Sequence, residues 1–173
     1  QMEQWQKVAP LHSSQPPFNL FQSNLADTVF KYCSENHIAT LSWGTLAHGM
    51  LTGKFTADAA FPEDDFRHSH PLFQGERFHQ YLGAVEELKK LAAEKGKTVT
   101  ELAVRWALQQ PGVSVALWGA RRPEQLNVIE GVFGWELSQA DLECIDRILA
   151  EQITDPVPVV TNPGPPARST AKK

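Results

Sequence analysis

The chain has 173 residues, 42% hydrophobic and 21% charged, which fits one globular domain with its own core and excludes a disordered polar chain. Sixteen basic against twenty acidic residues leave a net charge of −4, and the single basic pair, Arg121-Arg122, is no patch, so no nucleic-acid partner is expected. No apolar run is long enough to span a membrane, "QMEQWQKVAP" lacks a signal-peptide pattern, and Cys33 and Cys144 stand far apart, so a cytoplasmic protein with reduced core thiols and no membrane partner is expected.

In chain order, residues 2–9 place Trp5 and Val8 at helical spacing, and Pro10 ends that helix. Because Gln1 opens inside this pattern with no N-cap before it, the chain is expected to start in the middle of something longer. Residues 10–15 are a short extended candidate, stopped by Pro16-Pro17. Residues 24–37 read as a helix with Leu25, Val29, Phe30 and Cys33 on one face, and 38–43 as a buried strand. The stretch 44–78, rich in Gly, Pro, His and Asp, is longer than an ordinary connection; such loops are usually functional. An amphipathic helix follows at 80–96, closed by Gly96, and another at 98–112, with Thr98 as N-cap and Glu101 completing a capping box. Residues 113–119 read as a third buried strand and 122–133 as a helix with Pro123 in its first turn. Residues 138–152 form a last helix capped by Ser138, and the Pro-rich segment from Thr154 is expected to be disordered beyond about residue 160.

Strands alternating with helices mean βαβ units and a parallel sheet. Only three strands are visible, whereas a (β/α)8 barrel needs eight and ~250 residues. The pattern leaves two options, a small three-stranded α/β domain or part of a larger barrel.

Three stretches carry a resemblance: "VAPLHSSQPPFNLF", "WGTLAHGMLTGKF" and "TVTELAVRWALQQPGVSVALWGARRPEQL". In order and spacing they resemble the aldo-keto reductase family, in particular its branch with an L-x-x-G-x-L-T-G-K loop, which includes potassium-channel β-subunits. The resemblance runs from residue 1 to about 153. It implies an α/β fold that is the C-terminal part of a (β/α)8 TIM barrel, strands six to eight with their helices, present as a partial barrel over 1–153 and followed by a tail at 154–173. It also implies NADP(H) bound at the C-terminal ends of the strands.

The resemblance assigns roles to individual residues. Trp43 matches the aromatic ring that stacks on the nicotinamide, and Gln15 the glutamine that bonds its carboxamide. Gly44, Thr45, Leu46 and Gly49 match the loop over the pyrophosphate, where glycine lets backbone N–H groups come close. Thr52 offers a hydroxyl and Lys54 a cation to the same phosphates. Gly119 and Ala120 match positions against the ligand, Arg121 and Arg122 supply charge for a 2′-phosphate, and Gln125 matches a contact to the adenosine end. Where the family often has an acidic residue and asparagine against the adenine, this chain has Asn127, Val128 and Ile129.

The family's catalytic aspartate, tyrosine, lysine and histidine belong to the first half of its barrel and match no position here, so no catalytic residue is assigned and the chain alone is expected to be inactive. Tyr32 and Tyr81 fall in predicted helices and read as core or surface residues, and His48 as a solvated loop histidine. "HSH" at 68–70, with Asp64, Asp65 and His79 nearby, has ligand chemistry for zinc or nickel. The family carries an insert at this point without a metal, so a loop packed over cofactor or substrate is the expectation and no metal is assigned. The implied partners are a small carbonyl substrate, if the barrel is completed, and either a missing N-terminal half or a second copy of the chain. The alternative is a truncated, inactive NADP(H)-binding or interaction module.

Overall fold

The structure is a computed structural model that describes residues 1–158. Helix α1 (Met2–Gln6) leads to strand β1 (Ser13–Ser14). A wide π-type turn over Ala26–Phe30, with Phe30 N–H donating to Leu25 O at 3.1 Å, runs into α2 (Lys31–Glu35). Strand β2 (Ala39–Ser42) follows, then α3 (Gly75–Glu94), α4 (Val99–Gln109), β3 (Val115–Ala116), α5 (Ile129–Val132) and α6 (Gln139–Gln152). The three strands form one parallel sheet in the order β1-β2-β3. The register pairs Ser13 with Ala39 and Leu41 with Val115, and an isolated bridge joins Pro17 to Trp43. Among the described residues, the outer edges of β1 and β3 pair with no strand.

The ladder between β2 and β3 is short, and buried hydroxyls extend it. Thr40 Oγ1 donates to Gly112 O, Ser42 Oγ donates to Val115 O at 3.0 Å, and Thr45 Oγ1 donates to Leu117 O at 2.9 Å. All three side chains are fully buried, so each hydroxyl needs a partner and each finds one across the strand boundary. A second tie runs the other way, with Ser114 N–H donating to Thr40 Oγ1 at 3.1 Å.

The core lies between the sheet and the helices. Phe18 packs between Phe30, at 4.4 Å centroid separation, and the ring of Trp106 at 5.3 Å. Leu88 of α3, Leu102 of α4 and Ile145 of α6 are fully buried. Lys95, just past α3, ion-pairs with Asp141 in the first turn of α6 at 2.7 Å. The expected capping box of Thr98 with Glu101 starts α4, and Ser138, expected as an N-cap, forms a second box with Asp141 at the start of α6.

Several expectations are corrected. Helix α1 stops at Gln6, and Trp5 and Val8 are 60% and 87% exposed, because nothing packs on their face. Strand β3 is not buried: Val115 is 42% exposed, since its outer side has no neighbour. Helix α3 begins at Gly75, inside the stretch read as loop; Gln74 makes no side-chain cap bond, so the start carries no sequence mark. The helix expected over 122–133 is two pieces, a 3₁₀ turn at Pro123–Leu126 and the single turn of α5. Cys33 is buried, but Cys144 is only half-buried. Residues 154–158 lie along α3: Arg77 bonds Asp155 at 2.6 Å, and Val157 N–H donates to Tyr81 Oη at 3.0 Å. The disorder expected beyond residue 160 falls outside the described residues. No helix among the described residues is long and apolar enough to cross a membrane.

The box at the start of α4 can be tested alone. Thr98→Ala is expected to destabilise the chain by ~1 kcal/mol in a denaturant titration, while Thr98→Ser stays near the parent. An unchanged midpoint in the alanine variant would show that the cap contributes nothing.

Candidate functional site

Trp43 leaves the end of β2 with its ring 46% exposed and its Nε1–H donating to Gln15 O at 3.1 Å. The chain then turns sharply. Gly44 has φ +70°, and its carbonyl accepts from Asn19 Nδ2 at 2.9 Å. Thr45 is pinned to β3 by its hydroxyl. Next come three consecutive residues in the left-handed region: Ala47 at φ +45°, His48 at +57° and Gly49 at +94°. Two of the three are not glycine, a backbone cost tolerated where the surroundings hold it and found most often at functional sites. Thr52 Oγ1 donates to Gly49 O at 2.6 Å and closes the turn. Gly53, at φ +67°, is required: a Cβ there would sit 2.5 Å from Lys89 Cε and 2.9 Å from Val99 Cγ1.

This turn forms one wall of an open cleft of about 550 Å³. The wall carries Trp43, Gly44, Thr45, Leu46, Gly49, Thr52 and Lys54, and the segment after β3 faces it with Gly119, Arg121 and Gln125. Ala120 and Arg122, expected against the ligand, are exposed and lie off the cleft wall, and Gln15 lines a different cavity together with Trp43. The Thr52 hydroxyl proton is spent on Gly49, so this side chain shapes the turn rather than donating into the cleft. Gln125 does the same on the far wall: its Oε1 accepts from Arg121 N–H at 2.7 Å and from Arg122 N–H at 3.3 Å.

The insert contributes residues that the sequence reading did not single out. Phe66 and Arg67 line the cleft, as do Thr100, Leu117, Trp118 and Val128. Arg67 is held in place on two sides. Its Nε donates to Asp65 Oδ1 at 2.9 Å within a two-pronged ion pair, and its guanidinium lies 4.7 Å from the Phe61 ring centroid and 5.6 Å from that of Phe55. The pairing holds the Asp65 carboxyl far below the usual carboxylate range and raises Arg67. The signal was present in "DDFR": an Asp two residues before a cation whose backbone N–H it also caps, at 3.0 Å.

Lys54, Arg67 and Arg121 thus gather at one cleft. Partial desolvation, then the charges of Arg67 and Arg121, push the Lys54 ammonium down from its ordinary value. Like charges that destabilise one another in this way are stabilised by an anion between them. Backbone turned by glycines on one side and three cations around the space can hold a polyanionic ligand, while the exposed Trp43 ring offers a flat apolar face at one end. Among the described residues no group of three His, Cys, Asp or Glu side chains comes together as a metal site.

The cationic cleft thus lies at the C-terminal ends of parallel strands flanked by helices, the place where α/β folds carry their ligand sites. Comparison with known proteins gives the family. The profile of the Aldo/keto reductase family matches residues 1–150, and the chain belongs to that family. It is 48% identical over 158 residues to "Aldo-keto reductase YhdN" of Bacillus subtilis, covering 91% of this chain and 48% of the relative. It is 32% identical over 118 residues to "Probable voltage-gated potassium channel subunit beta" of Arabidopsis thaliana, covering 65% and 35%. Among solved structures, the glycerol dehydrogenase AKR11B4 from Gluconobacter oxydans superposes with a TM-score of 0.85 at 41% identity, covering 96% of this chain and 49% of that one. The chain spans about half the length of the relatives it matches.

His48 packs its ring 4.7 Å from that of His70 and 4.9 Å from that of Phe66. Desolvation lowers both histidines from the ordinary value of 6.5, and the charges of His70 and Arg67 lower His48 further. With folded values below 6.5, the unfolded chain binds more protons as pH falls through that point. This contribution to stability is therefore complete above 6.5 and lost below it. The midpoint of thermal unfolding is expected to drop between about pH 7 and about pH 5. The drop should be shallower in His48→Asn, whose side chain tolerates the left-handed backbone. An equal pH slope in both proteins would contradict the packing described.

Proposed function

We propose that this chain is the C-terminal half of an aldo-keto reductase barrel and contributes the NADP(H)-binding half of the active site. The reaction is hydride transfer between NADPH and an aldehyde or ketone. The observation that carries this reading is the cleft itself, where a glycine-rich turn and the cations Lys54, Arg67 and Arg121 converge beside an exposed tryptophan. The half-length coverage of the relatives, and the outer edges of β1 and β3 that pair with no strand among the described residues, support the partial barrel, with strands six to eight as β1 to β3.

The residues present fit the cofactor. Pyrophosphate and 2′-phosphate groups need cations and a close backbone, and the cleft sets Lys54, Arg67 and Arg121 around a glycine-rich turn. Lys54 and Arg121 would hold phosphate oxygens, and the Gly44–Gly49 turn would bring its backbone against them. Trp43 would support the nicotinamide, oriented by its bond to Gln15 O. NADPH, when bound, supplies the hydride. The residues of this chain bind, orient and exclude water from one side; proton donation to the substrate oxygen belongs to the half contributed upstream, on the same polypeptide or by another chain. A second reading, an NADP(H)-binding module without catalysis, is favoured by the tyrosines. Tyr32 sits in α2, and Tyr81 is buried in α3 with its hydroxyl oxygen accepting Val157 N–H.

Because Arg121 lines the cleft and Arg122 does not, Arg121 is the residue to change. Arg121→Ala is expected to weaken NADPH binding by ~1–3 kcal/mol and leave NADH nearly unaffected, measured by calorimetry. Equal affinities for NADPH and NADH in the parent would sink the 2′-phosphate assignment.

The chain alone is expected not to reduce carbonyls, since hydride transfer leaves charge on oxygen that a proton donor must quench. The check is NADPH oxidation with a nitrobenzaldehyde, using chain purified free of host reductases. Turnover that survives repurification and vanishes in Lys54→Ala would show a proton donor within this chain and overturn the division of labour.

A further inference from the structure

Asn19, in the segment after β1, is only 5% exposed, and each of its polar atoms is hydrogen-bonded. Its backbone exchanges bonds with Gln22: Asn19 N–H donates to Gln22 O at 3.2 Å, and Gln22 N–H to Asn19 O at 2.9 Å. Its side-chain Oδ1 accepts Phe21 N–H at 2.9 Å, the local bond by which an Asn fixes its own side chain. With the oxygen anchored there, Nδ2 donates to Gly44 O at 2.9 Å. The partners set the sense of the amide, since an N–H needs the oxygen and a carbonyl needs the NH2.

The carbonyl that Asn19 holds is the one that begins the turn after β2. Gly44 O also accepts Ala47 N–H at 2.8 Å, so it closes the first bend and meets two donors. Backbone bonds lead up to it: Trp43 N–H donates to Pro16 O at 3.1 Å, and Phe18 N–H to Trp43 O at 3.0 Å. Gly44, at φ +70°, then leaves the strand direction, and the next tie is made by the Asn19 side chain. Asn19 lines the cavity beyond Trp43 and His48 and not the cationic cleft, whereas Gly44 lines the cleft and not that cavity. The bond therefore crosses the partition and draws the Gly44 carbonyl away from the space where Lys54, Arg67 and Arg121 converge. A carbonyl dipole turned into that space would oppose an anion there. Thr45 grips the same turn from the other side, through Leu117 O.

We infer that Asn19 is a positioning residue for the anion cleft: without touching the ligand, its amide sets the orientation of the turn from Gly44 to Gly49 and with it the affinity for NADP(H). That the cleft takes this cofactor is the proposed function, on which the inference rests. The role needs an acceptor and a donor on one short side chain. Asn has both, and its isostere Asp, when ionised, has acceptors alone. In Asn19→Asp the bond from Phe21 survives, while the second carboxylate oxygen faces Gly44 O with no proton between them. Protonation restores the donor, and burial beside a carbonyl raises the pKa of such a carboxyl into an accessible range. The titratable groups on the same cavity wall are His48, His70 and Tyr81, and across the partition lie Lys54, Arg67 and Arg121.

The test titrates NADP⁺, the acid-stable form of the cofactor, into the full chain and into Asn19→Asp and Asn19→Ala at about pH 7.5 and about pH 5.5. Each variant is compared with the parent at the same pH, so titration of the histidines and of the 2′-phosphate, common to all, drops out of the ratio. Asn19→Asp is expected to bind at least ~10-fold more weakly than the parent at the higher pH and within ~3-fold at the lower, and Asn19→Ala at least ~10-fold more weakly at both. In the ligand-free samples, the amide NMR signals of Gly44 to Ala47 in Asn19→Asp are expected to depart from the parent at the higher pH and return at the lower. Affinity ratios that do not change with pH in Asn19→Asp, or turn amides that stay at their parent positions, would overturn the inference, even with a lowered unfolding midpoint. Should neither variant fold, the parent decides: its Asn19 side-chain amide protons are expected to follow the saturation curve of the Gly44 to Gly49 amides, and silence there while the turn responds overturns the inference. A parent chain whose turn NADP⁺ leaves unmoved counts against the proposed function, and the ligand-free spectra then decide the role of Asn19 in the turn.

Discussion

Three buried hydroxyls hold the working end of this chain together. Thr40, Ser42 and Thr45 each donate to a carbonyl of the segment 112–117, across a strand pair whose ladder is only two residues deep. A buried hydroxyl left without a partner costs ~1–3 kcal/mol, so these bonds act as a register lock. If Thr45 let go of Leu117, the turn after β2 and the segment after β3 would be free to separate, and the cleft is the space between them.

The lock lets the turn carry an unusual backbone. Ala47, His48 and Gly49 stand in the left-handed region, and such strain persists only where neighbours over-determine it. Here the neighbours are the Asn19 bond to Gly44, the Thr52 bond to Gly49 and the tilted packing of the His48 ring against His70. The turn thereby presents backbone and Lys54 to one side and His48 to both. Arg67, fixed by Asp65 and two phenyl rings, and Arg121 on the far wall complete a field that favours anions. The cavity on the other side of Trp43 and His48, which Gln15 also lines, has no Lys, Arg, Asp or Glu on its wall among the described residues. One short stretch therefore separates a charged compartment from a neutral one.

The parts of this arrangement written in local spacing were legible in the sequence. The Thr98–Glu101 capping box is an i, i+3 pair, the Ser138 cap was marked by its residue type, and the glycine-rich stretch after β2 announced a close approach. The residues of one cleft wall were legible only through resemblance, because 43–54 and 119–125 are joined by contacts across β2 and β3 and not by spacing. Arg67 went unnoticed because its role depends on rings at 55 and 61 that fold back on it. Val115 was read as buried because apolar runs look alike whether or not a neighbouring strand covers them. The break between Pro123–Leu126 and α5 was hidden as well: Val128 fits a helical face by type, while in the fold it lines the cleft. The strand at 38–43 was read as buried, and its polar Thr40 and Ser42 are more deeply buried than Leu41.

The central claim is that the turn after β2 and the segment after β3 form a single anion site. The most direct measurement is a backbone amide NMR titration of the chain with NADPH. The account predicts that NADPH shifts the amides of Gly44 to Gly49 and of Gly119 to Arg121 together, with one saturation curve for the two segments. Shifts confined to one segment, separate curves for the two, or no shift in either would contradict it.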